Sequence, residues 1–475
     1  MYTKIKSIGL GSFGIVYKAE NVDKDEDYVA IKQYTNTSDE DIPYQILREL
    51  NVIKMLKHPN IINSRYIQTI GTSIELIMDY GGENLRTYYK KIPYIQRIKE
   101  IKSITYQLLS GCAHMHKLGI IHRDFKPDNI LINYDQSGGI VLKICDFSLS
   151  KKIQPFNTFG FNSYQICTLW YRPPELFIID NQTYTTSIDV WSIGCLLYEF
   201  ITKEPIFSGS TEMTVLKNIL ARVPVKQDDL DILGLNHFKL ESCNNEKFYK
   251  LSPLYNLYIE KMEHIRELDE FKKLIESMLI LDPAKRITIE SALQHPYFGG
   301  YQDCVVDTVN YQNFYIRTNL PKQISESLRL SCIKNIMQWS NSDDISEQSV
   351  LIAINIFDRF ICLSCVLDNL DLISYCCILL ASKYIDLRPV TIEHLEIRYQ
   401  RHQIIHWERL IIQMVDYDLN QPTLLDFYKE LNPLVLTIPV NHWCVIKKII
   451  YDYNILVGKG VLEIKEILFN RIKNS

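Results

Sequence analysis

The sequence lacks the features that mark membrane, secreted and nucleic-acid-binding proteins. Its longest apolar candidate, residues 372–382, has about half of the roughly 20 residues that a membrane-spanning helix needs. Its first residues lead straight into a glycine-rich segment, which leaves no room for a secretion signal. The formal net charge is −4, so there is no excess of positive charge to attract nucleic acid or a membrane surface.

The 12 cysteines also lack the framework of a small disulfide-bonded domain. Scattered thiols of this kind are typical of reducing compartments, so we expect an intracellular protein, cytoplasmic or nuclear. A length of 475 residues, with a hydrophobic share of 47%, is sufficient for about two or three domains with a substantial core.

The most informative segment is residues 122–129, which read HRDFKPDN. It sets an acid, a lysine and an amide on one tight loop, a set that suits phosphoryl transfer from a nucleotide. Asp124 can accept the proton of an attacking hydroxyl, Lys126 can screen the moving phosphate, and Asn129 can hold a magnesium ion. Asp146 follows an apolar strand and offers a second metal-binding carboxylate. The HRDFKPDN loop and the later Asp146, in this order, together predict a phosphoryl-transfer site.

A second motif, the glycine-rich GLGSFGIV at residues 9–16, is a candidate phosphate cradle. Glycines at these spacings let a hairpin backbone lie close to a polyphosphate. The pattern alone is weak because dinucleotide-binding folds share it. Here it lies between extended segments, and Lys32 ends the next apolar strand at the distance that a phosphate-binding lysine needs. A solvated surface lysine is the alternative interpretation.

A counter-ion for Lys32 is available on the next predicted element. Residues 44–56 predict a helix, because their apolar side chains recur at spacings of three and four. Glu49 lies beside that apolar stripe and can face the lysine. We therefore predict an ion pair between Lys32 and Glu49, with an exposed helix charge as the alternative interpretation of Glu49.

With these motifs in order, residues 1–298 resemble a eukaryotic protein kinase. The resemblance implies an α+β, two-lobed fold, with an antiparallel sheet and a helix in the N-lobe and a helical C-lobe. It implies ATP and Mg²⁺ as cofactors, with Asn129 and Asp146 as metal ligands. The residues implied to be catalytic are Lys32, Glu49, Asp124, Lys126 and Asn129. The residues implied to bind ATP are Ile8, Gly9, Leu10, Gly11, Ser12, Phe13, Gly14, Ile15, Val16 and Lys32.

Further positions match structural parts of that family. Lys126 in the catalytic loop resembles the serine/threonine class. Glu175, in a P-P-E segment, is implied to pair with Arg286, and Asp189 is implied to brace the catalytic loop. Ser148 stands where the family has glycine after Asp-Phe, and serine restricts the backbone flip that glycine permits.

Within the family, the chain resembles cyclin-dependent kinases most, through residues 168–172 (TLWYR) and the helix segment 43–49. The resemblance implies substrates with proline just after the target residue. Proline has no backbone N–H, so an enzyme carbonyl that is turned away from the substrate loses no hydrogen bond. Arg172 is implied to hold that carbonyl, on Cys167.

A regulatory phosphosite is implied in the same region. In the fold that the chain resembles, Arg48, Arg123 and Lys151 converge on the activation segment as phosphate-binding cations. Three like charges repel one another unless an anion joins them. Ser163 stands where relatives carry an activating phosphate, so we predict that it is phosphorylated, with a solvated loop serine as the alternative interpretation.

The kinase pattern ends near residue 298, and residues 299–324 read as a linker. The rest of the chain, residues 325–475, has an almost entirely helical pattern and is predicted to be an all-α domain. Short motifs within it resemble a cyclin box, over about residues 325–433. They are residues 355–360 (NIFDRF), 379–384 (LLASKY), 407–409 (WER) and 415–419 (VDYDL).

By position in that box, Lys383 and Glu408 are implied to be the charged pair that contacts the kinase. The alternative is a surface lysine and a surface glutamate. A nucleic-acid-binding cyclin fold is disfavoured, because residues 301–475 hold 17 Lys and Arg against 20 Asp and Glu, a balance of −3.

Together these resemblances predict a proline-directed serine/threonine kinase joined to its own activator. Its partners are predicted to be protein substrates with Ser/Thr-Pro sites and its own cyclin-like domain, paired in cis or head-to-tail between two chains. The alternative is a catalytically weak, nucleotide-binding scaffold whose cyclin-like domain binds partners. Retention of Lys32, Glu49, Asp124, Asn129 and Asp146 argues against that alternative.

Overall fold

The computed structural model describes most of the chain, in segments separated by gaps. Two of the sequence-predicted positions in the glycine-rich motif, Ser12 and Phe13, lie outside the described residues, and so does Ser163. Apart from a few single positions, the described residues are 2–11, 14–24, 27–34, 41–71, 73–152, 167–177, 185–225, 227–232, 265–299, 324–341, 345–364, 368–386 and 389–421.

The chain begins with a five-stranded antiparallel sheet and one helix, α1 (Tyr44–Met55). The strands lie in the order β1-β2-β3-β5-β4, so β3 is central and its side chains are mostly buried. Pro43 precedes α1 and cannot extend it backwards, since it has no N–H and holds φ at −56°. The strands are β1 (Tyr2–Gly11), β2 (Gly14–Asn21), β3 (Tyr28–Tyr34), β4 (Ser64–Ile70) and β5 (Ser73–Asp79).

A larger, mostly helical lobe follows, and short strands flank several of its loops. Strands β6, β8 and β9 form one small antiparallel sheet, and β7 and β10 form another. The strands are β6 (Glu83–Asn84), β7 (Ile120–Ile121), β8 (Ile130–Tyr134), β9 (Ile140–Ile144) and β10 (Lys151–Lys152). The helices are α2 (Leu85–Lys91), α3 (Tyr94–Lys117), α4 (Ser187–Thr202), α5 (Glu212–Arg222), α6 (Gln227–Ile232), α7 (Ile265–Met278) and α8 (Ile289–Leu293).

The described part of the C-terminal region is helical. Its central helix is α11 (Leu370–Ile385), which is buried at every position except Asp371, as expected of a helix that others surround. A buried ion pair joins two of the surrounding helices, since Arg329 donates to Asp358 at 2.7 and 2.8 Å. The surrounding helices are α9 (Glu326–Met337), α10 (Glu347–Leu363), α12 (Ile392–Glu396) and α13 (Arg401–Met414).

This is the fold class that the sequence predicts: an α+β, two-lobed unit followed by an all-α region. Within the described ranges, none of the helices combines the length and the apolar character that crossing a membrane requires.

Candidate active site and its docking surface

The predicted ion pair lies at the centre of the first lobe. Lys32 Nζ is 2.5 Å from Glu49 Oε1 and 3.3 Å from Asp146 Oδ1, and both Lys32 and Glu49 are buried. Burial alone would lower the pKa of Lys32, but the two carboxylates outweigh it and raise that pKa above its ordinary value. The lysine therefore stays charged, which its predicted role as a phosphate-binding cation requires.

The glycine-rich hairpin lies next to this pair. Gly9 pairs with Val16, Leu10 with Ile15, and Gly11 with Gly14, so the two ends of the motif pair with each other across β1 and β2. A Cβ atom added to Gly14 would lie 2.1 Å from the carbonyl oxygen of Gln33 on β3. Glycine is therefore required there for the hairpin to lie directly against the strand that carries Lys32.

The catalytic-loop acid is held by four donors. Asp124 Oδ1 accepts from the Thr168 hydroxyl at 2.7 Å and the Thr168 N–H at 3.1 Å. Its Oδ2 accepts from Lys126 Nζ at 2.6 Å and Asn129 Nδ2 at 3.0 Å. Because Asn129 turns its amide nitrogen to Asp124, its amide oxygen is left for a cation. The structure thus brings together the three loop residues that the sequence singles out.

Asp189 on α4 holds the loop from behind. Its two carboxylate oxygens accept from the N–H groups of His122 and Arg123, each at 2.9 Å. Arg123 has φ 69° and Asp146 has φ 63°, in a left-handed region that non-glycine residues seldom adopt. Such conformations persist where surrounding contacts over-determine them, as the bonds from His122 and Arg123 to Asp189 do here.

Glu175 and Arg286 form a buried bidentate pair in the larger lobe. The two N–H···O contacts are both 2.6 Å, and both side chains are almost fully buried. A planar guanidinium matches a carboxylate in this arrangement, so the pair fixes the chain after the activation segment to the core of the lobe.

Arg172 contacts the residue that the sequence predicts for it. Its Nη2 donates to the carbonyl oxygen of Cys167 at 3.3 Å, and Cys167 has φ 66°. In this left-handed conformation the Cys167 carbonyl points in a different direction from the carbonyl of a residue in an extended conformation. The guanidinium of Arg172 also pairs with Glu212 at 2.5 Å, so its position is fixed from two sides.

The polar groups around this cleft fit a nucleotide and a divalent cation. The side chain of Asp146 is 34% exposed, so its carboxylate is accessible although it also contacts Lys32. Burial would raise the pKa of Asp146, but Lys32 and the Ser148 hydroxyl outweigh it and keep that pKa below its ordinary value. A carboxylate and an amide oxygen are the hard donors that Mg²⁺ prefers.

Family comparison agrees with this geometry. The family described as "Protein kinase domain" matches residues 2–298, which is more than half of the chain. This chain belongs to the protein kinase family. The family described as "Cyclin, N-terminal domain" matches residues 306–420, so a cyclin domain follows the kinase domain in the same chain.

The charged pair of the cyclin domain contacts the kinase domain immediately before α1. Lys383 Nζ is 2.5 Å from Glu408, 2.6 Å from Asp41 and 3.1 Å from the Ile42 carbonyl oxygen. Glu408 Oε2 accepts from the Ile42 N–H at 3.2 Å. Lys383 and Glu408 are buried, so both polar groups of one backbone residue are bound inside the interface.

Arg48, next to Glu49 on α1, is bound by the cyclin domain. Its Nε donates to the carbonyl oxygens of Lys383 at 3.2 Å and Tyr384 at 3.0 Å, and its Nη2 donates to that of Asp386. These carbonyls end α11, where helical geometry leaves carbonyl groups unpaired and negative. The cyclin domain therefore holds α1 one residue away from the glutamate that pairs with Lys32.

A second set of contacts reaches the other end of α1. Asn51 Oδ1 accepts from the Leu419 N–H at 2.6 Å, and its carbonyl oxygen accepts from Asn420 Nδ2 at 3.1 Å. Lys54 pairs with Asp416 at 2.7 Å. We refer to Asp41, Ile42, Arg48, Asn51 and Lys54, with their cyclin-domain partners, as the α1 docking surface.

The three predicted phosphate-binding cations lie close enough to repel one another. Burial, and then Arg123 and Arg48, lower the pKa of Lys151 to about 8. Burial, and then Arg123, lower the pKa of Arg48 to about 10. The cluster is therefore destabilised by its own charge. An anion beside it would relieve that cost, although the predicted phosphosite, Ser163, lies outside the described residues.

We expect the burial of Lys151, together with this repulsion, to appear in the pH dependence of stability. Because the pKa of Lys151 is about 8 in the folded protein and about 10.5 when unfolded, the unfolded chain binds more protons between these values. Stability from this group therefore rises with pH in that window. Lys151→Met should raise the free energy of unfolding by on the order of 1 kcal/mol at pH 7 and less at pH 9, measured by urea titration. A gap that widens with pH would contradict the assignment. Lys152→Met, at the neighbouring position, is the control.

Several contacts of the site have no signal in the sequence. The two hydrogen bonds from Thr168 to Asp124 join residues 44 positions apart, and the TLWYR motif that contains Thr168 implies proline recognition instead. Asp41 and Asn51 in the α1 docking surface belong to no motif, and Asp416 lies in the VDYDL motif, which gives no sign of its contact with Lys54. The sequence identified Lys383 and Glu408 only through their place in the cyclin box.

Proposed function

We propose that this protein is an ATP-dependent serine/threonine kinase that its own cyclin domain activates. The observation that carries the proposal is the α1 docking surface. It holds α1 from the cyclin side while Glu49, on the same helix, lies 2.5 Å from Lys32. In this position Lys32 is held ready to bind a phosphate group, and no contact from a second chain is needed to hold it there.

The catalytic roles follow from the contacts of each group. Asp124 accepts the proton of the attacking hydroxyl, and its four donors hold the carboxylate for that transfer. Lys126 stabilises the charge on the transferred group, and Lys32 orients the nucleotide phosphates. Mg²⁺, when bound by Asn129 and Asp146, neutralises phosphate charge. The cleft thus contributes positioning and electrostatics, which is what phosphoryl transfer requires.

Cis pairing is supported by the reach of the linker. Residues 299–324 can span on the order of 80 Å when extended. A tether of this kind sets an effective concentration of roughly millimolar for the docked domain. Intramolecular docking therefore competes well against a second chain or a separate cyclin.

Phosphorylation of Ser163 is part of the same proposal. The mutual repulsion among Arg48, Arg123 and Lys151 supports it, since a phosphate beside them would offset part of that positive charge. Arg48 already has carbonyl partners in the cyclin domain, so we expect phosphorylation to add to activation and docking to be its main source.

The proline-directed part of the proposal rests on Arg172 and the left-handed Cys167. A Cys167 carbonyl that is held by Arg172 is unavailable to a substrate N–H, and only proline has none to lose. We expect kcat/KM for a Ser-Pro peptide to exceed that for a matched Ser-Ala peptide by roughly 30-fold or more. Radiolabelled phosphate transfer from ATP measures both. Equal rates would refute proline direction, and no transfer to either peptide or to proteins would refute the kinase proposal.

A further inference from the structure

A buried hydroxyl beside the Lys32–Glu49 pair has no part in the function proposed above. Tyr34 ends β3, two residues after Lys32, so both side chains project from the same face of the strand. Lys32 Nζ lies 5.4 Å from the centroid of the Tyr34 ring. Tyr34 is 0% exposed, and its hydroxyl has no hydrogen-bond partner in the described part of the chain.

Glu49, at the same place, has a buried acceptor oxygen that lacks a donor within the described ranges. Its Oε1 accepts from Lys32 at 2.5 Å, whereas Oε2 is fully buried and has no donor among the residues that the structure describes. A buried carboxylate oxygen without a donor is costly. Burial, and then the Glu49 charge, raise the pKa of Tyr34 well above its ordinary value, so the phenol keeps its proton and remains a donor.

The Tyr34 hydroxyl and the Glu49 carboxylate interact electrostatically, so a buried donor and a buried acceptor face each other without completing a hydrogen bond of ordinary geometry. We propose that Tyr34 is a positioning residue, whose hydroxyl donates to Glu49 Oε2 directly or through one bound water. With Lys32 on one carboxylate oxygen and Tyr34 on the other, β3 holds the glutamate in a single orientation. Tyr34 touches neither substrate nor nucleotide and acts through Glu49.

The position of Tyr34 also links three parts of the site. It pairs in register with Gly14 on β2, at the end of the glycine-rich hairpin, and with Ile74 on β5. The hairpin, the strand bearing Lys32 and helix α1 thus meet at one side chain. Loss of the hydroxyl should therefore loosen α1 from the sheet even when the cyclin domain remains docked.

The inference rests on the proposed kinase activity, so the test separates the two. Full-length Tyr34→Phe, Glu49→Gln and the double variant are compared by kcat and by KM for ATP with a Ser-Pro peptide. We expect Tyr34→Phe to lower kcat roughly ten-fold, with KM for ATP within about two-fold of wild type. Because Tyr34 acts through Glu49, the double variant should be no slower than Glu49→Gln alone.

Tyr89→Phe is the matched control, since the Tyr89 hydroxyl donates to buried Glu199 at 2.5 Å in the larger lobe, on a different element from the Lys32–Glu49 pair. It should lower the melting temperature by a comparable amount and leave kcat unchanged. Two results would overturn the inference while Glu49→Gln remains impaired. One is a wild-type kcat in Tyr34→Phe. The other is a double variant whose loss of kcat equals the product of the two single losses. Wild-type kcat in Glu49→Gln would overturn the proposed function as well.

Discussion

Asp124→Asn is expected to lower the rate of phosphoryl transfer by about a thousand-fold and to leave the fold intact. The carboxylate has two acceptor oxygens, one bound by Thr168 and the other by Lys126 and Asn129. An amide supplies only one acceptor, so one group of donors must face an NH₂. The substitution thus removes the proton acceptor and disturbs the groups around it. Single-turnover transfer of radiolabelled phosphate to a Ser-Pro peptide measures the loss.

The same loop provides a matched control for this substitution. Asp128 lies four residues further on and pairs with Arg86 at 3.0 Å, with its side chain 41% exposed. Asp128→Asn should retain transfer within a few-fold of wild type, since exposed pairs contribute little. Activity above about a tenth of wild type in Asp124→Asn would contradict its role as the proton acceptor.

Lys383→Ala is expected to lower kcat/KM by about a hundred-fold, although the residue belongs to the cyclin domain. It leaves Glu408, which is 0% exposed, as a buried charge without its cation, and it releases Asp41. Removing one partner of a buried pair costs about 3–5 kcal/mol, enough to undock a tethered domain. Once α1 is released, Glu49 loses its support. Peptide phosphorylation measures the loss, and small-angle scattering should show a larger radius of gyration.

Two further variants make this prediction specific to the docking surface. Lys334→Ala changes an exposed lysine on α9 and should behave as wild type. Lys383→Met combined with Glu408→Leu leaves no unpaired ion in the buried part of the interface, since Asp41 is 33% exposed, and part of the docking should return. Lys383→Ala with unchanged activity and unchanged dimensions would show that the cyclin domain does not control the kinase domain.

The fold class and the family were predictable because each kinase motif carries its own local geometry. The glycine spacing defines a hairpin, the strand bearing Lys32 follows it, and the apolar stripe beside Glu49 defines a helix. The helix was predicted at residues 44–56 and is found at Tyr44–Met55. Each of these features depends on a short stretch of chain, and the periodicity and spacing of residues predict the structure of short stretches well.

The α1 docking surface could be predicted only in part, because it depends on how two domains meet. Asn51 and Leu419 are 368 residues apart, and no spacing rule connects them. Asp416 and Tyr417 present their groups from left-handed conformations, with φ 54° each, that their residue types do not demand. In the sequence Tyr34 is an ordinary aromatic residue of a strand, and only the structure places its hydroxyl beside Glu49. Tertiary packing decides such contacts.

The most direct test of the account is the specific activity of the purified full-length chain on dilution, with no cyclin added. Intramolecular docking predicts the same specific activity from about ten micromolar to about ten nanomolar, because tethering fixes the effective concentration of the cyclin domain. Specific activity that falls in proportion to dilution, or activity that appears only after a separate cyclin is added, would contradict activation within one chain.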